Sequence, residues 1–169
     1  MGQKGARLAG TLASNERIYL FISSSVPDMT LRTYMKRISA LKDPNVVVLM
    51  RGFIDGMKRM GPTLGFIQGL LEKDPSQGLY GGLYGVNVEV DPLLFRRYGI
   101  DRVPAVVYVP EIEVERPGSE GLKADAMVSG WYVFYGDAAL SYSLGRINEE
   151  AKSASLAGVI RGLKHGFYR

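Results

Sequence analysis

The segment Val88–Val109, VEVDPLLFRRYGIDRVPAVVYV, decides the fold because each of its parts has a local structural meaning. Val88–Val90 is a short β-prone run. Asp91-Pro92 predicts a helix start, with an acid at the N-cap followed by proline at the first helical position. The apolar run Ala105–Val109 predicts a second strand. The segment therefore reads as strand, short helix and strand.

The short helix carries Leu94, Phe95 and Tyr98 on one face, and Gly99 ends it. Val103-Pro104 then leads into the second strand. This order resembles the second half of a thioredoxin fold, in which a cis-proline faces the redox cysteines. The resemblance implies a cis peptide bond between Val103 and Pro104. The pattern of the segment assigns structural roles to Asp91, Pro92 and Phe95.

Composition excludes several classes of function. The chain has 169 residues, enough for one domain, and no cysteine, which excludes disulfide exchange and thiolate metal sites. Its net charge of +4 comes from lysine and arginine scattered among acids, which argues against nucleic acid as a partner. No apolar stretch is long enough to span a bilayer, and no cofactor motif is present.

The remaining pattern predicts the element order βαβαβαββα. The fold class is α/β, a thioredoxin-like three-layer sandwich with a mixed central sheet and helices on both faces. The further predicted strands are Ile18–Ile22, Val46–Met50, an edge strand at Glu111–Glu115, and Met127–Tyr135. One predicted helix is opened by a Ser25-x-x-Asp28 cap and runs to Leu41, and a second spans Pro62–Lys73 with Leu64, Ile67, Leu70 and Leu71 inward. A third is capped by Gly136-Asp137 and has Leu140, Leu144 and Ile147 inward.

Three parts of the chain are distinguished. Residues 1–16 are predicted as a flexible N-terminal segment, residues 17–150 as the thioredoxin-like domain and residues 151–169 as a C-terminal extension. Leu156, Val159, Ile160 and Leu163 have helical spacing in that extension. The tandem GLYGGLYG at residues 78–85 is predicted as an exposed loop.

Catalytic interpretations are weak. Ser23, Ser24 and Ser25 occupy the place of a thioredoxin nucleophile, but the single histidine, His165, lies near the C-terminus and no nucleophile elbow is present. Alternating acids at Glu111–Glu115 are typical of a solvated strand face rather than of a metal site, and no metal ligands are assigned. A cryptic serine hydrolase using Ser24 or Ser25 stays as the least favoured alternative.

A protein-binding surface is the favoured interpretation. Ser24, Ser25, Val26 and Pro27 after the first strand should meet Val103 and Pro104 at one end of the sheet, with Arg51 and Gly52 nearby. In thioredoxin-like proteins extended peptides are held at this end, beside the cis-proline.

The order of motifs resembles one family in particular. The segments are FISSSVP (residues 21–27), VVVLMRGF (46–53), VDPLLFRRYGI (90–100), RVPAVVYV (102–109) and YGDAALxxSLxxI (135–147). Together they are similar to the TrbC proteins of F-type conjugative transfer systems, which act in pilus assembly. The resemblance covers about residues 18–147 and supplies no catalytic residues.

This resemblance implies a non-catalytic periplasmic protein of a type IV secretion machine. Its expected partners are pilin or another periplasmic assembly component of the TraW kind. Residues 1–16 lack the apolar core of a signal peptide, so we expect that a leader has been removed. The alternative is a redox-inactive thioredoxin-like chaperone or peptide-binding adaptor.

Overall fold

The computed structural model describes residues 11–56, 58–112 and 130–165. The described elements follow the predicted order βαβαβαββα with one helix added at the end. They are β1 Arg17–Ile22, α1 Asp28–Leu41, β2 Val46–Met50, α2 Met60–Leu71, β3 Asn87–Val90, α3 Pro92–Arg97, β4 Ala105–Val109, β5 Tyr132–Tyr135, α4 Leu140–Ala151 and α5 Ala154–His165.

The strands form one mixed sheet in the order β3-β2-β1-β4-β5. β1, β2 and β3 are parallel, whereas β4 is antiparallel to β1 and β5 is antiparallel to β4. β1 lies at the centre, and all six of its residues are buried. The predicted α/β class with a mixed sheet is confirmed.

Helices cover both faces of the sheet, as predicted. On one face Ile18, Leu20 and Ile22 of β1 share a core with α1, α4 and α5. On the other face Tyr19 and Phe21 share a core with α3. The alternation of side chains along β1 thus divides the interior into two cores, because neighbouring strand residues point to opposite faces.

Strand register brings five connections to one end of the sheet. Ile22 pairs with Met50, and Met50 pairs with Val90, so β1, β2 and β3 end side by side. Phe21 pairs with Ala105, and Ala105 pairs with Tyr135, so β4 begins and β5 ends at the same level. Every segment that leaves or enters the sheet here therefore borders the same surface.

The packed part of the chain extends beyond the predicted domain limits of residues 17 and 150. Leu12 and Glu16 are buried before β1 begins. Leu156 and Val159 of α5 belong to the larger core, and α5 packs against α4. The C-terminal segment is helical over Ala154–His165, and its apolar side chains pack into the larger core.

Two predicted helix caps are wrong for the same reason. Pro27 occupies the N-cap of α1, and Ala139 occupies the N-cap of α4; neither helix has a side-chain cap. Ser25 and Asp137 each lie two residues before the N-cap. Ser25 pairs its hydroxyl with that of Ser23 instead, at 2.6 Å.

α2 runs over Met60–Leu71 rather than Pro62–Lys73, and Ile67, Leu70 and Leu71 pack against the larger core as predicted. Leu64 is 58% exposed, so its predicted burial is wrong. Thr63 is buried instead and its hydroxyl accepts a hydrogen bond of 2.8 Å from the Ile54 amide. Apolar spacing alone did not reveal the burial of Thr63, because a polar side chain is buried here through its hydrogen bond.

The GLYGGLYG segment contains a 3-10 turn at Gly78–Gly81, and half of its residues are exposed, whereas Tyr84 packs against the larger core. Tyr80 is fully exposed. A bridge between Glu72 and Leu83 closes the segment and returns the chain toward β3.

The predicted strand at Glu111–Glu115 is not found at Glu111 and Ile112, and its other residues lie outside the described part. The predicted strand at Met127–Tyr135 is described from residue 130 onward. Within that portion it begins at Tyr132.

Candidate functional site

The end of the sheet where β1 and β2 finish carries the predicted binding residues. Ser24, Arg51 and Gly52 line one shallow cleft there, with Ile22 and Met50 at its base. The strand pairing explains this, because Ile22 and Met50 are direct neighbours. The predicted meeting of the segments after β1 and β2 is therefore present.

The turn after β1 is held by its own serines. The Val26 amide donates to the Ser23 carbonyl at 3.2 Å, and the hydroxyls of Ser23 and Ser25 pair at 2.6 Å. Val26 is only 5% exposed and packs into the larger core. Burial of Val26 anchors the turn, so that Ser24 and Pro27 remain exposed on either side of it.

Arg51 reaches from the end of β2 across to α3 and the connection that follows it. Its guanidinium donates a hydrogen bond of 3.2 Å to the Ile100 carbonyl and lies 5.4 Å from the centre of the Phe95 ring. These contacts fix the guanidinium although the residue is exposed. Gly52 beside it has open space where a Cβ would stand.

The Val103-Pro104 peptide bond is cis, as predicted. Pro104 is buried and Val103 is half-buried. The Pro104 carbonyl accepts a hydrogen bond of 3.1 Å from the Gly136 amide, which ties the start of β4 to the end of β5. Because Ala105 pairs with Phe21, this segment lies next to the turn after β1.

Six of the eight predicted binding residues are therefore accessible at one end of the sheet, while Val26 and Pro104 are buried beneath them. We call the six the sheet-end surface. They are Ser24, Ser25, Pro27, Arg51, Gly52 and Val103.

Asp91, Pro92 and Phe95, which are predicted to have structural roles, shape α3 and its packing. The Asp91 carboxylate accepts hydrogen bonds from the Leu93 and Leu94 amides at 2.9 and 3.2 Å, and Pro92 is the first helical residue. Phe95 is buried, and its ring meets that of Phe21 edge-on at 4.7 Å. α3 is thereby fastened against the sheet directly beneath Arg51.

Asp137 has a different role from the predicted one. It accepts a hydrogen bond of 3.1 Å from the Thr30 hydroxyl and so links the β5–α4 connection to α1. The Tyr34 hydroxyl donates to the Ala138 carbonyl at 2.9 Å beside it. Burial, together with the charge of Asp137, raises the pKa of Tyr34, so this hydroxyl remains a donor at ordinary pH.

Sequence reasoning missed Arg102 and Met29. The Arg102 guanidinium lies 4.6 Å from the centre of the Tyr135 ring, two residues before Pro104. Met29, in the first turn of α1 beside Pro27, is 79% exposed. Proximity to Pro104 and Pro27 in the sequence was the available signal for both residues.

Little at this surface offers catalytic chemistry. Ser23 and Ser25 bond to one another, and His165 is exposed at the end of α5. Within residues 11–56, 58–112 and 130–165 no cluster of histidine, aspartate and glutamate could hold a metal ion. In the same ranges no helix combines the length and apolarity needed to cross a membrane.

Fold and surface together define a cysteine-free mixed α/β protein whose connections converge at one end of its sheet. The sequence model of the type-F conjugative transfer system pilin assembly proteins, TrbC_Ftype, matches residues 20–147, and the chain belongs to this family. The predicted family is thus confirmed. Comparison with curated proteins found no match, and neither did comparison with solved structures.

Membership of this family gives the protein a role in assembly of the F-type conjugative pilus, part of a type IV secretion system. It implies interaction with other conjugation components and suggests an extracytoplasmic role. The family is one of assembly proteins rather than a known enzyme family.

Proposed function

We propose that the protein is a non-catalytic periplasmic component of F-type pilus assembly, with a thioredoxin-like fold. It binds another assembly component, TraW-like or the pilin itself, through the sheet-end surface. The observation that carries this proposal is the convergence of Ser24, Arg51 and Val103, from three separate connections, on one accessible surface.

The chemistry of the surface supports a binding role. It offers hydroxyls at Ser24 and Ser25, a fixed guanidinium at Arg51 and an unobstructed backbone at Gly52. Polar groups on a rigid framework favour specific recognition, because little side-chain freedom is lost on binding. The cis-proline beneath them is the position at which the thioredoxin resemblance implies peptide binding.

A non-catalytic role is favoured by the state of the serines. A serine nucleophile needs an adjacent base, and the hydroxyls of Ser23 and Ser25 instead pair with each other. The pilin assembly family to which the chain belongs is not a known enzyme family.

The test uses a donor strain in which this gene is deleted in frame and then restored by variants. Gly52→Trp places a bulky ring on the sheet-end surface, where a Cβ at Gly52 meets nothing within 4 Å. The matched control is Ala40→Trp, an equally exposed change near the end of α1, at the opposite end of the sheet. Plasmid transfer frequency and pilus number are counted, and co-purification with the TraW-like component and with pilin is measured.

We expect the deletion to abolish transfer and pili, and we expect Ala40→Trp but not Gly52→Trp to restore them. Co-purification with the partner should be lost in parallel for Gly52→Trp. Normal transfer in the deletion strain would overturn the assembly role in that host. Full activity and partner retention with Gly52→Trp would show that binding occurs elsewhere on the molecule.

A second candidate is the redox-inactive chaperone or peptide-binding adaptor. It is favoured by the exposed Met29 next to Pro27, at the edge of a groove between α1 and the β5–α4 connection. Exposed flexible apolar side chains suit binding of varied unfolded segments. Comparable binding to several unrelated unfolded proteins would support this candidate, whereas binding to one conjugation component would support the first.

A further inference from the structure

Two guanidinium groups flank the connection that leads into the cis-proline. Arg51 donates to the carbonyl of Ile100, at the beginning of that connection, and Arg102 lies within it. Both residues are exposed. The two positive charges therefore border the part of the sheet-end surface formed by Val103.

Both groups are held by aromatic rings. The Arg51 guanidinium lies 5.4 Å from the centre of the Phe95 ring, and that of Arg102 lies 4.6 Å from the centre of the Tyr135 ring. Stacking on a ring leaves the N–H groups at the edge of the guanidinium available, and it lowers the entropy lost when a ligand binds. Fixed guanidiniums of this kind suit the planar, two-pronged recognition of a carboxylate.

Neither arginine forms an ion pair within the described part of the chain. Three carboxylates at this end of the sheet have other partners: Asp28 pairs with Arg32 at 2.6 Å, Asp137 accepts from Thr30, and Asp91 accepts from the Leu93 and Leu94 amides. Asp55 and Asp101 are exposed near this end, and neither neutralises a guanidinium by direct contact. Among the residues that the structure describes, these two oriented positive charges thus have no carboxylate partner.

From this geometry we infer that the sheet-end surface receives an acidic segment of its partner, whose carboxylates bind the guanidiniums of Arg51 and Arg102. The inference rests on the proposed function and specifies the chemistry of the partner. A nucleic-acid backbone fits less well, because the surface offers two fixed guanidiniums rather than the extended basic patch that a run of phosphates needs.

The experiment measures binding of the full chain to two labelled peptides by fluorescence anisotropy. One is an extended peptide that alternates glutamate and valine, and the other carries glutamine in place of every glutamate. We expect the glutamate peptide to bind about tenfold or more tightly, and its affinity to fall with added salt. The double variant Arg51→Gln/Arg102→Gln should remove this preference and most of the salt dependence.

Two further variants make the result specific. Arg51→Lys/Arg102→Lys keeps the charges without the planar fork, and we expect an intermediate affinity. Arg146→Gln removes an exposed arginine that pairs with Glu149 on α4, and we expect no change in binding. Urea denaturation of each variant establishes that the comparison is made between folded proteins.

Equal affinity for the two peptides, or wild-type binding by Arg51→Gln/Arg102→Gln, would overturn the inference. Competition by inorganic phosphate as effective as by the glutamate peptide would also overturn it, since the site would then bind anions in general. If Gly52→Trp abolishes partner binding while the double glutamine variant retains it, the proposed function stands without this inference. If neither change affects partner binding, both are overturned.

Discussion

The hydroxyl of Tyr108 on β4 donates a hydrogen bond of 2.6 Å to the carboxylate of Glu16, which lies 92 residues earlier and just before β1. The same carboxylate accepts hydrogen bonds from the hydroxyl of Ser155, at the start of α5, and from the Ala13 amide. Glu16 is buried. One carboxylate therefore joins the segment before β1, the sheet and the last helix, at the end opposite to the sheet-end surface.

Glu16→Gln should lower the free energy of unfolding by about 2 kcal/mol, because hydrogen bonds to a charged group are replaced by weaker ones. The amide nitrogen of the glutamine would also face the Ala13 N–H, which is itself a donor. Urea denaturation measures the change. The matched control is Glu149→Gln, an exposed partner of Arg146, which should shift stability by less than about 0.5 kcal/mol. Equal effects of the two changes would contradict the assigned role of Glu16.

The stability of the protein should depend on pH through the same pair. Burial alone would raise the pKa of Glu16, but the hydrogen bonds from Ser155, Tyr108 and Ala13 outweigh it and lower the pKa. The folded state thus binds this proton less tightly than the unfolded state. The contribution of Glu16 is complete above about pH 5 and is lost as the pH falls through the lowered pKa.

Tyr108 makes the stability of the protein depend on pH at the alkaline end of the range. Burial, followed by its hydrogen bond to Glu16, raises its pKa to about 12. Stability should therefore fall as the pH rises above about 10, the usual tyrosine value, toward the raised pKa. The urea midpoint measured across the pH range should decline at both extremes, and Glu16→Gln should flatten the acid side. An acid dependence identical in the variant and the wild type would show that other groups are responsible.

Asp91→Ala should destabilise the protein by about 1 to 2 kcal/mol, because the Leu93 and Leu94 amides lose their acceptor at the start of α3. Asp91→Asn retains a side-chain oxygen and should cost clearly less. The urea midpoints of the Asp91→Ala and Asp91→Asn variants measure this difference. Similar losses for alanine and asparagine would indicate that the charge of Asp91, rather than its capping oxygen, is what α3 requires.

Phe95→Leu should affect peptide binding more strongly than it affects the stability of the fold. The leucine keeps an apolar side chain against Phe21, so the loss should be about 1 to 1.5 kcal/mol. The ring beneath Arg51 is removed at the same time, which frees the guanidinium. We expect the protein to remain folded, with affinity for the glutamate-valine peptide reduced several-fold. Unchanged affinity would show that stacking on Phe95 does not prepare Arg51 for binding.

The sequence alone predicts those parts of the fold that depend on residues close together in the chain. Asp91-Pro92 and Gly99 bracket α3 through capping chemistry that involves only near neighbours, and continuous apolar runs marked β2 and β4. The placement of Ser24 beside Val103 followed once the strands were assigned, because chain direction determines which connections share an end of the sheet.

The remaining features depend on partners distant in sequence. Asp137 pairs with Thr30, 107 residues away, and nothing near Asp137 indicates that partner. The burial of Thr63 in α2 accompanies a hydrogen bond from Ile54, and the position of the Arg102 guanidinium depends on a ring on β5. Apolar spacing and capping rules describe a single element, so they do not identify contacts made when elements pack together.

The sheet-end surface combines residues that are far apart in the sequence, such as Ser24 and Val103. The protein must therefore fold before this surface exists. No short stretch of the chain carries this surface, since β1, β2 and β4 must already be paired for its parts to meet. Contacts between such distant residues form only as the whole domain folds. Under the proposed function, only fully folded molecules can therefore be recruited through this surface, and an incompletely folded copy stays outside the pilus assembly without a separate quality-control step.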